Sequence, residues 1–97
     1  MPKFAKIKGV MTPKRPMGEI EILRAIKFAI ASEFEAIQIY EQIIESTDNI
    51  TVKKALAEIT KDEKQHAGGL YHLLEILSPG DAAEYKAGAE ETKEIIA

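Results

Sequence analysis

The sequence predicts an all-α protein, an antiparallel hairpin of two long helices followed by a shorter third. Two observations carry that expectation. Apolar residues recur in two long stretches at alternating steps of three and four, the period of one helix face. The stretches are bounded by Ser46-Thr47-Asp48-Asn49 and Ser78-Pro79-Gly80, residues that turn the chain and cap helices.

The first eighteen residues, MPKFAKIKGVMTPKRPMG, hold three of the four prolines and the lysines Lys3, Lys6 and Lys8. Neither a strand period nor a helix period survives there, so residues 1–18 read as a flexible or docking arm. The helical domain then occupies residues 19–97. In its first helix Leu23, Ile26, Ile30, Glu33, Ile37, Tyr40 and Ile44 share one face. A second stripe runs through Val52, Leu56, Ile59, Glu63, His66, Leu70, Leu73 and Leu77. It ends at Ser78, a residue suited to cap a third helix that Pro79 can open. The third piece, from Pro79 to Ile96, is rich in Ala and Glu and has only a weak apolar face.

Each long helix spans roughly 40 Å at about 1.5 Å per residue, and the short turn forces the pair antiparallel. A lone hairpin leaves much of each stripe in water, and Ile22, Ile39, Ile43, Leu74 and Ile76 widen the exposed area. Pairing with a second copy into a four-helix bundle removes that surface, so a homo-oligomer is expected.

Composition narrows the function. The chain has 97 residues, thirteen Lys and Arg against sixteen Asp and Glu, and a net charge of −3. A length of 97 residues allows one small domain. The acidic balance argues against nucleic acid, which asks for a clustered basic surface. No apolar run reaches the roughly 18 residues of a membrane span, and no signal-peptide pattern follows the N-terminal lysines. Cysteine is absent, which removes disulfides, thiolate metal sites and Cys nucleophiles. The default compartment is a reducing cytoplasm.

The chemistry lies where the stripes turn polar. Glu33 interrupts the first near its middle, and Glu63 with His66 interrupts the second near its middle. In an antiparallel pair the midpoints face each other, so the three side chains should converge at one level. A carboxylate taken out of water costs several kcal/mol unless paired or metal-bound. Glu63-Lys64-Gln65-His66 is a Glu-x-x-His unit whose ends lie one turn apart on one helix face. Di-iron and di-manganese bundles use a Glu from each of two helices and Glu-x-x-His from the other two. This chain holds half of that set, and a symmetric dimer would complete it with one set of ligands per subunit. Carboxylate-dominated ligation favours iron or manganese. Two other readings stay open, a hydrogen-bonded polar layer that fixes register and a structural zinc site. Tyr40, two turns from Glu33, is either an amphipathic core residue or the group that aims a ligating carboxylate.

Other polar residues read as surface. His72 lies about 120° round the helix from His66. Glu35, Glu41, Glu45, Glu58 and Asp62 lie off the stripes, where together they could focus a potential that attracts Fe(II). Gly68 and Gly69 cost the helix roughly 1 kcal/mol each, which suggests close approach of a neighbouring helix.

The stretches Ser32-Glu33-Phe34-Glu35-Ala36-Ile37-Gln38-Ile39-Tyr40-Glu41-Gln42 and Lys61-Asp62-Glu63-Lys64-Gln65-His66-Ala67 resemble the encapsulated ferritins, cargo proteins of encapsulin nanocompartments. The tail from Leu77-Ser78-Pro79-Gly80 to Glu91-Thr92-Lys93-Glu94 is similar to archaeal versions fused to the shell. The resemblance covers about residues 19–95. It implies a ferritin-like four-helix bundle made by a dimer, and dimers closed into a ring-shaped decamer. It also implies a di-iron ferroxidase centre at the dimer interface, with Glu33, Glu63 and His66 from each chain as ligands and Tyr40 beside them. Ser32 stands where members often carry another acid, which puts a metal-entry site in doubt. Cargo members usually end in a shell-targeting peptide, and Ile95-Ile96-Ala97 does not resemble one. The expectation is therefore a domain of a shell fusion, or docking through another segment.

The expected function is Fe(II) oxidation by oxygen or peroxide, feeding iron storage in a partner encapsulin shell, in the cytoplasm and inside the nanocompartment. A rubrerythrin-like peroxidase is the alternative within the di-metal class, weakened by the missing Cys. A non-enzymatic helical assembly module is the alternative outside it.

Overall fold

The computed structural model describes residues 15–97, so most of the N-terminal arm expected over residues 1–18 lies outside the described residues. Helix α1 runs Glu19–Ser46, α2 Ile50–Leu77 and α3 Pro79–Ile96. The observed ends agree with the expectation because local chemistry sets them. Gly18 precedes α1, and its N–H donates to Glu21 Oε1 at 3.2 Å, satisfying a donor the first turn leaves free. Asn49 caps α2 by accepting from the Val52 N–H at 3.1 Å. Ser78 departs from expectation: its side chain makes no capping bond to α3. Its backbone serves both helices instead, donating to Leu74 O at 2.9 Å and accepting from Ala82 N at 3.0 Å. Pro79, at the start of α3, needs no amide partner.

Helices α1 and α2 pack as the hairpin, while α3 packs on α2 beyond their junction. Two side-chain contacts steady α3: Tyr71 and Tyr85, with ring centroids 6.4 Å apart, and Lys27 with Asp81 at 3.5 Å. The molecule measures 48 × 45 × 18 Å, a single layer of helices. Its radius of gyration is 16.8 Å, against about 12 Å for a compact chain of this size. A stable domain normally sandwiches its core between two layers. Here only Thr60, Ala67 and Leu74 are buried among the described residues.

That buried line corrects the sequence-based picture of the second stripe. Positions 60, 67 and 74 follow a seven-residue repeat, which keeps one side of α2 against α1. The stripe through Ile59, Leu73 and Leu77 lies further round the helix, and those three side chains are exposed. Small Thr60 and Ala67 take the line facing α1, so the larger residues beside them are left on the open face. Gly68 and Gly69 likewise have no neighbour within 4 Å of a built Cβ, so the close approach expected there does not occur inside the protomer.

Candidate metal centre

Glu33 on α1 and Glu63 and His66 on α2 do converge. One ligand atom from each lies within 4.8 Å of the other two. His66 Nδ1 stands 3.8 Å from Glu33 Oε1 and 3.9 Å from Glu63 Oε1. Both separations exceed hydrogen-bond length. They suit two donors sharing an ion at about 2.0–2.2 Å from each.

The trio sits at the edge of the hairpin rather than deep in the seam. The side chains of Glu33 and Glu63 are 20% and 22% exposed, and that of His66 is 60% exposed. Within the protomer the cluster is therefore open on one side. Glu33 Oε2 is buried with no hydrogen-bond partner. An acceptor left so is expensive, and a cation would satisfy it. The donor set, two carboxylates and an imidazole without sulfur, suits a divalent transition-metal ion and favours iron or manganese over structural zinc.

Tyr40 is half-buried on α1, two turns beyond Glu33, and its hydroxyl makes no hydrogen bond among the described residues. Ser32 is not offered to a metal, because its Oγ donates to Phe28 O of its own helix at 2.9 Å. His72 is exposed and lies 3.6 Å from Glu75. Glu35, Glu45, Glu58 and Asp62 are exposed as expected, whereas Glu41 is half-buried and pairs with Lys64 at 3.3 Å.

The sequence stripes did not single out Thr60, or the aromatic cluster of Phe34, Tyr71 and Tyr85 on the other side of the hairpin. The seven-residue spacing of Thr60, Ala67 and Leu74 was the available signal for the first. For the second, Phe34 follows Glu33 and so points about 100° away from it.

Residues 24–96 match the family described as rubrerythrin. The chain is 35% identical over 81 residues to the ferritin-like-encapsulin shell fusion protein of Pyrococcus furiosus, covering 84% of this chain and 24% of that one. It is 33% identical over 81 residues to the encapsulin nanocompartment cargo protein EncC of Myxococcus xanthus, covering 84% of this chain and 62% of that one. It thus spans about a quarter of the first relative and under two thirds of the second. The crystal structure of the encapsulated ferritin domain from Pyrococcus furiosus superposes with a TM-score of 0.82 at 32% identity, over 91% of this chain and 90% of that one.

Proposed function

The chain belongs to the rubrerythrin family, as a ferritin-like domain of the encapsulated-ferritin kind, and from that membership we propose that it is a ferroxidase. Its substrate is Fe(II), each ion giving up one electron to dioxygen or peroxide. The observation that carries the proposal is Glu33 Oε2, buried and unpartnered, in a cluster whose other members are Glu63 and His66. A hydrogen-bonded register layer is the weaker reading, because the His66 ring stands too far from both carboxylates to bond them.

The site takes its second wall from another copy, whose Glu33, Glu63 and His66 complete a di-iron set. Iron bound there supplies the one-electron redox chemistry. The chain supplies the rest. Glu33 and Glu63 offset the cation's charge and hold it more tightly as that charge rises from two to three. His66 presents Nδ1 on the same side and lends a neutral donor that keeps the set selective for a transition metal. Tyr40, two turns from Glu33 on the same face of α1, would orient a ligating carboxylate. The paired hairpins exclude water from what is an open edge in one protomer.

The two curated relatives are named for encapsulin shells or their cargo, and we extend that partnership to this chain. Product Fe(III) would pass to a shell, since a protomer that is a single layer of three helices encloses no cage. The assembly we propose is the dimer bundle, closed further into the ring-shaped decamer.

Aerobic Fe(II) oxidation, followed optically for wild type beside His66→Ala, tests this. Wild type should exceed the protein-free control, and the variant should lose at least about tenfold in initial rate. Equal rates in both would overturn the site. A wild-type rate that appears only with peroxide and an added electron donor would favour the peroxidase instead.

A further inference from the structure

In the half of the hairpin nearest the α1–α2 turn lies a hollow of about 510 Å³. Glu41 and Glu45 of α1 line one side of it, Lys61 and Lys64 of α2 the other, and Thr60 lies between them. Ala57 lends only a methyl group, which leaves the space open. The metal-centre residues Glu33, Glu63 and His66 do not line it.

We propose that this hollow binds a hard divalent cation, of the Mn(II) or Ca(II) kind, through oxygen alone: the carboxylates of Glu41 and Glu45 and the hydroxyl of Thr60. Water fills the remaining positions, as is usual for such ions. This site is separate from the metal centre and does not rest on the ferroxidase reading.

The first observation is Thr60. It is 5% exposed, and its Oγ1 is buried with no hydrogen-bond partner. A hydroxyl in mid-helix can bond the carbonyl one turn back, and Ser32 and Thr92 do so here, to Phe28 O and Gly88 O. Thr60 forgoes that bond, so the burial of its hydroxyl is uncompensated within the protomer. Threonine on a helix takes two rotamers. A turn about χ1 exchanges methyl for hydroxyl and offers an oxygen donor at the base of the hollow.

The second observation is the carboxylate pair. Glu41 and Glu45 stand four residues apart on one face of α1, where like charges repel. A cation held between them removes that repulsion.

The third is how loosely the present counter-charge is held. Lys64 Nζ stands 3.3 Å from Glu41 Oε2, longer than the roughly 2.7–2.9 Å of a tight charge-assisted bond. The Lys64 side chain is 60% exposed, and ion pairs in such surroundings are weak. Lys61 and Glu45 make no ion pair at all among the described residues. Both lysine heads can withdraw into water on their long stems, while the shorter carboxylates stay against α1. A divalent ion shared by two carboxylates therefore displaces a single ammonium.

An anion fits less well. It would gain Lys61 and the Thr60 hydroxyl but face the unmatched Glu45, on a chain whose net charge is −3. Oxygen donors without imidazole also select hard ions over the transition metals that a Glu and His set favours. The ion ties α1 to α2 nearer the turn than Glu33, Glu63 and His66 do.

Mn(II) titration of the whole chain, with free Mn(II) read by electron paramagnetic resonance, tests the site. The protein used carries Glu63→Ala and His66→Ala, which dismantle the metal centre. A single Mn(II) per protomer should still bind. Adding Glu45→Gln should weaken binding at least about tenfold, because affinity at oxygen sites follows the count of charged ligands. Adding Thr60→Val should weaken it by about tenfold as well. Without metal, that variant's Tm should hold or rise, since an unpartnered buried hydroxyl has been removed. Lys64→Gln should act in the opposite direction and tighten binding about two- to fivefold, because the internal competitor is gone. Absence of bound Mn(II) in the protein lacking the metal centre would overturn the proposal. Unchanged binding in both Glu45→Gln and Thr60→Val would do the same, as would weaker binding in Lys64→Gln. A rise in Tm with inorganic phosphate and none with Mn(II) would reassign the hollow to an anion.

Discussion

The two broad faces of the hairpin are apolar for the same reason and differ in what sits among their apolar residues. One carries Glu33, Glu63 and His66, with Ile59, Leu73 and Leu77 exposed on the same side of α2. The other carries Phe34, Tyr71 and Tyr85. Both flank the same buried line of Thr60, Ala67 and Leu74. Covering either face gains about 25 cal/mol for each Å² of apolar surface removed from water. Only the first face must also desolvate two carboxylates, which costs several kcal/mol per ion when no counter-charge is present. Covering it is therefore opposed without a cation and favoured with one. The aromatic face carries no such condition. A few polar residues placed in an apolar surface convert an unconditional contact into one that a ligand controls.

The largest effect should come from removing that condition. Glu63→Ala takes away one ligand and one desolvation penalty together. Fe(II) oxidation should fall to the protein-free rate, a loss of at least about a hundredfold if the centre supplies nearly all of the catalysis. Helix content by circular dichroism should not change, because in the metal-free hairpin the substitution removes a partly buried carboxylate whose burial is itself a cost. Association across this face should also lose its dependence on Fe(II), since a ligand that binds only the assembled form stabilises that form by mass action. Sedimentation with and without chelator reads this directly. Metal-dependent association that persists in the variant would mean the two faces do not differ in the way argued.

An intermediate effect should follow from a residue that both faces share. Leu74 is 4% exposed, the most buried side chain among the described residues. Leu74→Ala leaves a cavity and should cost about 2–4 kcal/mol of stability, measured by denaturation at fixed protein concentration and fixed metal. Because Leu74 anchors the seam between the faces, both associations should weaken together. Selective loss of one would show that Leu74 belongs to that face rather than to the hairpin.

How legible these features are in the sequence depends on how local their physics is. Helix ends at Ser46, Ile50, Leu77 and Pro79 are readable because turn and cap chemistry acts over three or four residues, as at Asn49. Convergence of Glu33, Glu63 and His66 is readable because polar side chains interrupt apolar stripes at matching heights of an antiparallel pair. Which side of α2 meets α1 is not readable from a three-four stripe. The apolar stripe is wide enough to serve both the partner helix of the same chain and a helix of another, and Thr60 and Ala67 register as neutral in it. The aromatic face is less legible still. Tyr71 and Tyr85 are brought together only by the bend at Ser78, and Lys27 reaches Asp81 across 54 positions of chain.

The smallest effect belongs to neither face and so serves as a control on both. Before α1, Arg15 Nη1 donates to Glu21 Oε1 at 2.7 Å, and the Gly18 N–H donates to the same oxygen at 3.2 Å. The Arg15 hydrogen bond first, and the Gly18 bond second, hold the Glu21 carboxyl below its usual value. A carboxylate whose pKa is lower folded than unfolded stabilises the fold above its unfolded value, and the gain is lost as pH falls through the folded one. Arg15→Ala should therefore lower Tm slightly at neutral pH, and the gap from wild type should close below pH of about 4. Arg15 is well exposed, so added salt should shrink the gap as well. Thermal melts from pH 7 to pH 3, at low and high salt, measure it. Association through either face, and the rate of Fe(II) oxidation, should not move. A Tm difference that stays constant across the pH range would assign Arg15 a role unconnected with Glu21.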